Sequence, residues 1–352
     1  MMISASPCAG QGARVSPWTR RHRPLANPVA ALRWLVLAAA VLFGLVAPSK
    51  AQDLVIAVSG TALSLPIIVA DRQGYFTAEG IRVRLQECVG GHRCMKLLFD
   101  GQAQLATAAD LPVMFNSFER SDYAVIATFV SSGRDLKLVT RKSAGITSAK
   151  QLEGKRVGTV KGASSQYFLD SNLIFNDVDV KKVTVMPLQP EQTVAALERK
   201  EVDALAIWEP YAYRAMKALG NDGVVLPSTR IYTQTFNLIA TRRMIAEREG
   251  DLVKVLRAME RAQLLIREQP KQAQAILLAW LKLDPGFIEW IWGDFDYRMS
   301  LDQSLVTTLE AEARWAQREG HVDATKRIGN FLDFVHPAAL RQAVPGAVTL
   351  MR

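Results

Sequence analysis

The stretch from residue 152 to residue 213 constrains the fold of this chain more than any other. Its first part runs from an apolar segment at residues 157–160 through Gly162-Ala163-Ser164-Ser165 into apolar residues at helical spacing. This order predicts a strand, a tight turn and a helix. The first N–H groups of such a helix, together with two Ser hydroxyls, attract an anion or a carbonyl oxygen. We therefore expect the polar head of a ligand to bind at this turn.

The end of the same stretch predicts a second strand, which is again followed by a loop whose residues are suited to bind a ligand. Residues 204–207 are a short apolar run that leads through Trp208-Glu209-Pro210 into a helical segment. In open α/β sheets, ligands bind beyond the carboxyl ends of the strands. Two strand ends of this kind, each followed by polar or aromatic residues, predict the mouth of one binding site.

Strand and helix signals alternate along most of the remaining chain. Residues 54–130 have a β-α-β-α-β pattern, residues 136–219 repeat it, and residues 236–241 are an extended segment that returns to the first unit. Such alternation predicts mostly parallel strands that are covered by helices on both faces.

The repeated pattern divides the chain into two predicted α/β lobes. Lobe 1 consists of residues 52–133 and residues 235–352, and lobe 2 consists of residues 134–234. The part of lobe 1 that begins at Arg242 has apolar residues at helical spacing, so we expect a helical C-terminal tail.

The beginning of the chain has the features of a secretory signal. Residues 34–47 are an apolar run that follows a basic region without acidic residues, and Ala51 stands at a position that a signal peptidase reads. We predict that residues 1–51 are a signal peptide, which is cleaved near Ala51 on export to the periplasm. An uncleaved membrane anchor is the alternative, and the sequence leaves the choice between Sec and Tat export open.

The positive charge of the chain is concentrated in this first segment. The full chain has 43 Lys and Arg against 34 Asp and Glu, a net charge of +9. Residues 1–51 hold six of the basic residues and none of the acidic ones, so the remainder has a net charge of +3. A nearly neutral chain without a basic stripe is not typical of nucleic-acid binding. We therefore expect no nucleic-acid partner.

Cys88 and Cys94 are the two cysteines that follow the predicted signal peptide. They are close in sequence, the Gly90-Gly91 pair between them bends freely, and the predicted compartment is oxidising, so we expect a disulfide. The alternative is a metal site with His92, but two Cys and one His leave the coordination of a metal incomplete. We predict no metal and no cofactor.

Six short segments follow one another in the order of a known family. They are residues 70–81, 100–106, 155–158, 162–165, 202–204 and 208–210. These segments resemble the solute-binding proteins of ABC importers in the nitrate/sulfonate/taurine group, which includes thiamine-precursor binders. The resemblance covers roughly half of the chain. It implies a two-lobe periplasmic-binding-protein clamshell of type II, which captures a small polar organic solute between its lobes and delivers it to an inner-membrane permease.

The resemblance leaves the solute and two other roles open. Sulfonates, amino-sulfonates, pyrimidines and aromatic acids all remain candidate solutes. An exported ligand-sensing partner of a membrane receptor would share the clamshell, and so would an enzyme related to pyrimidine synthesis. The predicted signal peptide argues against the enzyme, whose relatives are intracellular, and the sequence has no nucleophile elbow and no phosphate loop. We expect a monomer without catalytic residues.

The candidate ligand-binding residues lie in loops that follow predicted strands. They are Ser59, Gly60, Thr61, Gly91, Asp110, Ser132, Ser164, Ser165, Trp208 and Glu209. Three of them have a structural alternative, because Ser164 and Ser165 are also suited to cap a helix, and a Trp at position 208 is also suited to be buried between lobes.

Asp110 and Glu209 bear on the charge of the solute. If both face the cleft, their charge favours an amine, an amidine or another donor-rich ligand and repels a dianion such as sulfate. The alternatives are that Asp110 caps the helix that follows it and that Glu209 lies in the first turn of its helix, where the helix dipole favours a carboxylate. If they do face the cleft, we expect an organic solute in preference to nitrate.

Overall fold

A computed structural model describes residues 53–351 of the chain, and each structural statement below concerns that part. The predicted signal peptide at residues 1–51 and its cleavage site near Ala51 lie outside the described residues.

The described part of the chain contains ten strands and twelve α-helices. The strands are β1 (Leu54–Ser59), β2 (Val83–Cys88), β3 (Leu105–Ala109), β4 (Tyr123–Ser132), β5 (Lys137–Arg141), β6 (Arg156–Thr159), β7 (Thr184–Pro187), β8 (Ala204–Ile207), β9 (Gly223–Val225) and β10 (Gln234–Thr241). The helices are α1 (Leu65–Arg72), α2 (Tyr75–Ala78), α3 (Gly91–Phe99), α4 (Asp110–Ser117), α5 (Ser164–Phe175), α6 (Thr193–Glu198), α7 (Tyr211–Leu219), α8 (Arg242–Glu268), α9 (Pro270–Leu281), α10 (Gly286–Ile291), α11 (Gln303–Arg318) and α12 (Ala338–Ala343). Short 3-10 helices are Ala62–Ser64, Lys142–Ala144, Ala149–Leu152, Val180–Lys182, Pro190–Gln192, Gly220–Asp222, Phe331–Phe334 and Pro345–Ala347.

The strands form two five-stranded sheets. The first sheet has the order β2-β1-β3-β10-β4, and the second has the order β7-β6-β8-β5-β9. In the first sheet β1 pairs parallel with β2 and β3, and β10 pairs antiparallel with β3 and β4. In the second sheet β6 pairs parallel with β7 and β8, and β5 pairs antiparallel with β8 and β9.

Each sheet is therefore mostly parallel in strand direction, since four of its five strands run the same way. The exception in each case is the strand that follows the passage of the chain from the other sheet, namely β5 and β10. The predicted two-lobe α/β fold is confirmed. The sequence pattern did not predict β9, a strand of three residues at the edge of the second sheet.

Two separate hydrophobic cores accompany the two sheets. The larger core surrounds the first sheet and includes Tyr123, Phe129 and Trp315, and the smaller core surrounds the second sheet and includes Leu169 and Leu205. Central strands such as β1 are buried along their whole length because helices cover both faces of the sheet. The lobe boundaries given above, at residues 133/134 and 234/235, stay a prediction.

The helical tail packs on the first sheet and reaches the second. Helix α8 contacts α1 and α12, and α11 contacts α4. From α11, the indole N–H of Trp315 donates a hydrogen bond to Asp170 of α5 at 3.0 Å, which ties the tail to the other half of the chain. Among residues 53–351, no helix combines the length and the apolar composition that crossing a bilayer requires.

Candidate functional site

A pocket lies where the loops of the two sheets meet. Its empty space is about 360 Å³, open solvent at the mouth included. From the first sheet and its loops it is lined by Ser59, Thr61, Leu63, Gly90, Gly91, Ala109, Pro112, Gln234 and Phe236. From the second sheet and its loops it is lined by Asp135, Ala163, Ser164 and Trp208. Both halves of the chain therefore contribute to one pocket.

The ten predicted binding residues divide into two groups around this pocket. Those that line it are Ser59, Thr61, Gly91, Ser164 and Trp208. Those that lie outside the lining are Gly60, Asp110, Ser132, Ser165 and Glu209. The ligand role of all ten stays a prediction.

Three helices begin at the pocket. Helix α3 begins at Gly91, α4 at Asp110 and α5 at Ser164. The first N–H groups of a helix have no partner within it, and the helix dipole gives that end a partial positive charge. None of the described lining residues is Lys or Arg. A negative group in the pocket would therefore be stabilised by helix starts and hydroxyls rather than by a side-chain cation.

The loop after β1 is held in place by its own hydroxyls. The Ser59 hydroxyl accepts a hydrogen bond from the Gly90 N–H at 3.2 Å, and the Thr61 hydroxyl accepts one from the Leu63 N–H at 3.0 Å. Ser64, whose position suggests a helix cap, makes no capping bond, and its hydroxyl donates instead to the Ser59 carbonyl at 2.7 Å. This network fixes Ser59 and Thr61 at the wall of the pocket.

Gly91 brings the start of α3 against the end of β3. A Cβ atom at this position would lie 2.7 Å from the Ala108 Cβ and 2.8 Å from the Ala108 Cα. Since the second of these atoms belongs to the backbone, a side chain at position 91 could be accommodated only if the helix moved away from the strand.

Replacing Gly91 by Ala should therefore lower the free energy of unfolding by about 1–3 kcal/mol. Urea denaturation measures this change. Gly60→Ala is the matched control, because no atom lies within 4 Å of a Cβ placed there, and its unfolding midpoint should stay close to that of the parent. Equal midpoints for both variants would show that the close approach of α3 and β3 is absent in solution.

Ser164 and Ser165 have different surroundings although they are neighbours. The Ser164 side chain lines the pocket, and its hydroxyl lies 3.4 Å from the Asp110 carboxylate. Ser165 is fully buried, and its hydroxyl accepts a hydrogen bond from Thr159 at 2.9 Å. Neither hydroxyl makes a capping bond at the start of α5. Of the two, Ser164 is the one placed to meet a solute.

Trp208 is both buried and part of the pocket wall. Only 7% of the residue is exposed, and its ring packs edge-on against Tyr211 with 5.8 Å between centroids. Its position in the wall, close to Gly90 of the other half of the chain, lets one large aromatic face contact a solute.

Asp110 is fully buried and its oxygens are used by the protein. They accept hydrogen bonds from the Leu111 N–H at 3.0 Å, from the Thr235 N–H at 2.9 Å and from the Tyr232 hydroxyl. Burial raises the pKa of Asp110, although these hydrogen bonds oppose the shift. Glu312 lies next to this group, and burial followed by the charge of Asp110 raises its pKa well above the usual value. Asp110 thus connects α4 to the chain segment that leads into β10.

Glu209 is fully buried in a second polar cluster. One oxygen accepts the indole N–H of Trp290 at 2.5 Å and lies 3.2 Å from the Lys137 ammonium, and the other accepts the Tyr213 N–H at 3.0 Å. Burial raises the pKa of Glu209, and Lys137 opposes that shift. The carboxylate therefore links β8, β5 and α10.

Ser132 shapes the passage between the sheets. Its hydroxyl accepts the N–H groups of Arg134 and Asp135 at 3.0 and 2.9 Å and donates to the Asp294 carbonyl at 2.6 Å. These bonds turn the chain between β4 and β5 and set the position of Asp135.

Asp135 is the ionisable residue of the pocket wall, and it is not among the residues predicted from the sequence. It is fully buried and lines the pocket, and one carboxyl oxygen accepts a hydrogen bond from the Gln234 amide at 3.2 Å. The other oxygen, Oδ1, has no hydrogen-bond partner within the described residues. Burial, followed by the charge of Glu209, raises the pKa of Asp135 to about 7. A charged residue at the crossing between two predicted lobes was the signal available in the sequence.

The predicted disulfide between Cys88 and Cys94 is present, with 5.4 Å between the Cα atoms. It joins the end of β2 to α3 and so braces the loop that carries Gly90 and Gly91. Oxidised sulfurs are not thiolate ligands, so the alternative of a metal site with His92 does not apply to this form of the protein.

A polar contact joins the two halves of the chain next to this loop. Arg93 of α3 donates to Glu191 at 2.6 Å and to Gln189 at 2.8 Å. Because the acceptors follow β7 of the second sheet, the contact holds the pocket in the observed arrangement of the two sheets.

The sequence profile described as "NMT1/THI5 like" matches residues 62–273, more than half of the chain. The chain belongs to the NMT1/THI5-like family. The resemblance to the nitrate, sulfonate and taurine group of binding proteins is thereby confirmed. The matched region includes the loops that carry Gly91, Asp135, Ser164 and Trp208, but it begins after Ser59.

Two relatives with assigned names are similar in sequence. A protein of Bacillus subtilis (strain 168), provisionally named an aliphatic sulfonates-binding protein, is 26% identical over 229 residues, 64% of this chain and 69% of its own length. The taurine-binding periplasmic protein of Escherichia coli (strain K12) is 25% identical over 210 residues, 58% of this chain and 64% of its own length. The match therefore spans about two thirds of each relative.

A solved structure shares the fold over most of its length. The periplasmic aliphatic sulphonate binding protein SsuA of Escherichia coli superposes with a TM-score of 0.72, and the alignment covers 82% of this chain and 93% of that protein at 19% identity. The predicted periplasmic-binding-protein fold is confirmed.

Proposed function

We propose that this protein binds a small organic solute with an acidic head group between its two lobes and presents the solute to the membrane permease of an ABC importer. The observation that carries the proposal is the convergence of the starts of α3 and α5 and several hydroxyls on one pocket that both halves of the chain line. The sulfonate- and taurine-binding names of the relatives support the same class of solute.

The polar part of the pocket suits an acid group. The free N–H groups at the starts of α3 and α5 and the hydroxyls of Ser59, Thr61 and Ser164 are hydrogen-bond donors that need no side-chain cation. A sulfonate or a carboxylate offers several acceptor oxygens to such donors.

The apolar part of the pocket suits an organic body. Leu63, Pro112, Trp208 and Phe236 line the wall beside the polar groups. Burial of apolar atoms contributes about 25 cal/mol per Å², and nitrate has none to bury. We therefore propose an organic acid rather than an inorganic anion.

We propose a binding role rather than a catalytic one. A nucleophilic Ser needs a neighbouring base such as His, and the lining residues of the described pocket include no His. Residues 1–51 serve in this proposal as the export signal, removed near Ala51, so that the protein works in the periplasm. The expectations of a monomer and of no nucleic-acid partner stay predictions.

A thermal-shift screen tests the proposed function. Sulfonates, carboxylates, nitrate and a thiamine-precursor pyrimidine are added to the purified protein. An organic acid at a hundred times its dissociation constant should stabilise the protein by about 2.7 kcal/mol. Ser164→Ala should weaken that binding about fivefold, the loss of roughly one hydrogen bond, whereas the neighbouring Ser165→Ala should change affinity less than twofold. Stabilisation by nitrate or by the pyrimidine alone would contradict the proposal.

A further inference from the structure

Asp135, a residue of the pocket wall, has a buried acceptor atom, Oδ1, that has no partner within the described residues. The residue is fully buried, and within residues 53–351 only its other oxygen is hydrogen-bonded. Leaving a buried polar atom unpaired is costly, and most such atoms in folded proteins have a partner. Because this atom belongs to a residue in the pocket wall, a solute that binds in the pocket is a candidate to supply the missing partner.

The protein's own cation cannot supply the missing partner. An ammonium has three N–H donors, and those of Lys137 are directed to the Arg134 carbonyl at 2.7 Å, to Asp294 at 3.2 Å and to Glu209 at 3.2 Å. Lys137 is mostly buried, so it has little freedom to leave these acceptors. Its charge lies near Asp135, but its hydrogen bonds are committed elsewhere.

The other side chains that face Asp135 do not supply a partner for Oδ1 either. The side chain of Glu209 adds a like charge, while its backbone N–H donates to the Asp135 carboxyl and opposes the rise in pKa. Asp294 pairs with Lys137, and Arg134 lies 3.5 Å from Asp294. Tyr297, whose pKa is raised by burial and then by the charge of Asp135, donates its hydroxyl to the Ala62 carbonyl. Within the described chain, the Gln234 amide is the one group that donates to the Asp135 carboxyl from a side chain.

We infer that Asp135 Oδ1 receives an ammonium or another N–H group of the solute, so that the pocket selects an acid that also carries a hydrogen-bond donor. This inference rests on the proposed function, because it assumes that the acid group of the solute lies at the helix starts. The pocket then has a positive end, formed by the helix starts, and a negative end, formed by Asp135. A dipolar solute such as an amino-sulfonate or an amino acid complements both ends.

The same geometry rejects acids without a donor. A site with a buried hydrogen-bonding group loses affinity for an analogue that cannot pair with it, often by several orders of magnitude. We expect at least a tenfold preference for the aminated member of a matched pair.

The affinities of the two members of a pair should change with pH in opposite directions. With a pKa of about 7, Asp135 is mostly ionised at pH 8 and mostly protonated at pH 6. An ammonium solute binds the ionised form, so its affinity should fall about tenfold from pH 8 to pH 6. An acid without a donor avoids charge repulsion when Asp135 is protonated, so its affinity should rise over the same interval.

Isothermal titration calorimetry on the purified protein tests the inference with two matched pairs, taurine against ethanesulfonate and β-alanine against propionate. Each pair differs by one amino group and shares the acid group. The variant Asp135→Asn keeps the volume of the side chain, and Asp100→Asn, at an exposed position on the end of α3, is the control. The pH series on the parent protein gives a second readout that does not depend on a variant.

We expect the aminated solute of at least one pair to bind more tightly, with this preference lost in Asp135→Asn and kept in Asp100→Asn. Equal affinities within each pair, or a preference that survives Asp135→Asn, would overturn the inference and leave the proposed binding of organic acids intact. No binding of any of the four acids would overturn the proposed function, and the inference with it.

Discussion

Replacing Glu209 by Ala should lower the free energy of unfolding by about 3–5 kcal/mol, because it removes one of the two carboxylates that pair with the buried Lys137 ammonium and breaks a buried hydrogen-bond cluster. Glu209 is fully buried, and Lys137 beside it is only 13% exposed. The substitution also removes the acceptor of the Trp290 indole and of the Tyr213 N–H. Urea denaturation measures the effect through the shift of the unfolding midpoint.

Glu201→Ala is the matched control for this substitution. Glu201 also forms an ion pair, with Arg199 at 2.7 Å, but both side chains are exposed. Solvent screens such pairs, so the unfolding midpoint should not change measurably. If Glu209→Ala shifted the unfolding midpoint as little as Glu201→Ala does, the buried cluster that joins β8 to α10 would not exist in solution.

Replacing Asp135 by Asn should stabilise the protein without solute, and by more at pH 8 than at pH 4. Burial raises the pKa of Asp135 in the folded protein from 3.8 to about 7. The folded state therefore holds this proton more tightly than the unfolded state, and the parent protein loses stability as the pH rises through that interval. One pKa unit corresponds to 1.36 kcal/mol, so the relative gain of the variant approaches about 4 kcal/mol.

Thermal unfolding of parent and variant between pH 4 and pH 8 checks this prediction. Asp222→Asn provides the control, because hydrogen bonds from Ser143 lower the pKa of Asp222 below its usual value of 3.8. The stability that this carboxylate contributes is lost only as the pH falls below that value, so the difference between Asp222→Asn and the parent should stay nearly constant between pH 4 and pH 8. A difference between Asp135→Asn and the parent that stays constant with pH would mean that Asp135 titrates at its ordinary pKa.

The fold could be predicted from the sequence because the patterns that mark its strands and helices are local. Strand β8 has the predicted bounds and helix α7 follows it as predicted, since an apolar run of four residues, a Pro and an amphipathic segment follow one another there. Helix α4 is different. The apolar pattern predicts a helix at residues 114–120, but it begins at Asp110, because Pro112 fits in a first turn, where its missing N–H costs nothing.

The sequence predicts the site only in part, because neighbouring residues in a loop can point their side chains in different directions. Ser59 and Thr61 line the pocket while Gly60 between them does not, and Ser164 lines it while Ser165 packs behind. A loop can be predicted from strand ends, but the facing of each side chain depends on the turn geometry.

The surroundings of the charged residues at the site were the hardest part to predict from the sequence. Asp110 and Glu209 are bound by Thr235 and Trp290, which are 125 and 81 residues away in the sequence. No local sequence pattern predicts hydrogen-bond partners at such distances along the chain. Asp135 lies in the passage between β4 and β5, beyond Ser132, where the candidate residues taken from the end of that strand stop. Its place in the pocket results from the meeting of the two sheets.

The most direct test of the central claim is a crystal structure of the protein with the strongest solute of the thermal-shift screen. We predict that the solute lies between the two sheets, with its acid group within hydrogen-bond distance of the Ser164 hydroxyl and of the first N–H groups of α3 or α5. A solute that contacts one sheet and its loops alone, or that lies outside the pocket of Ser59, Gly91, Ser164 and Trp208, would contradict it.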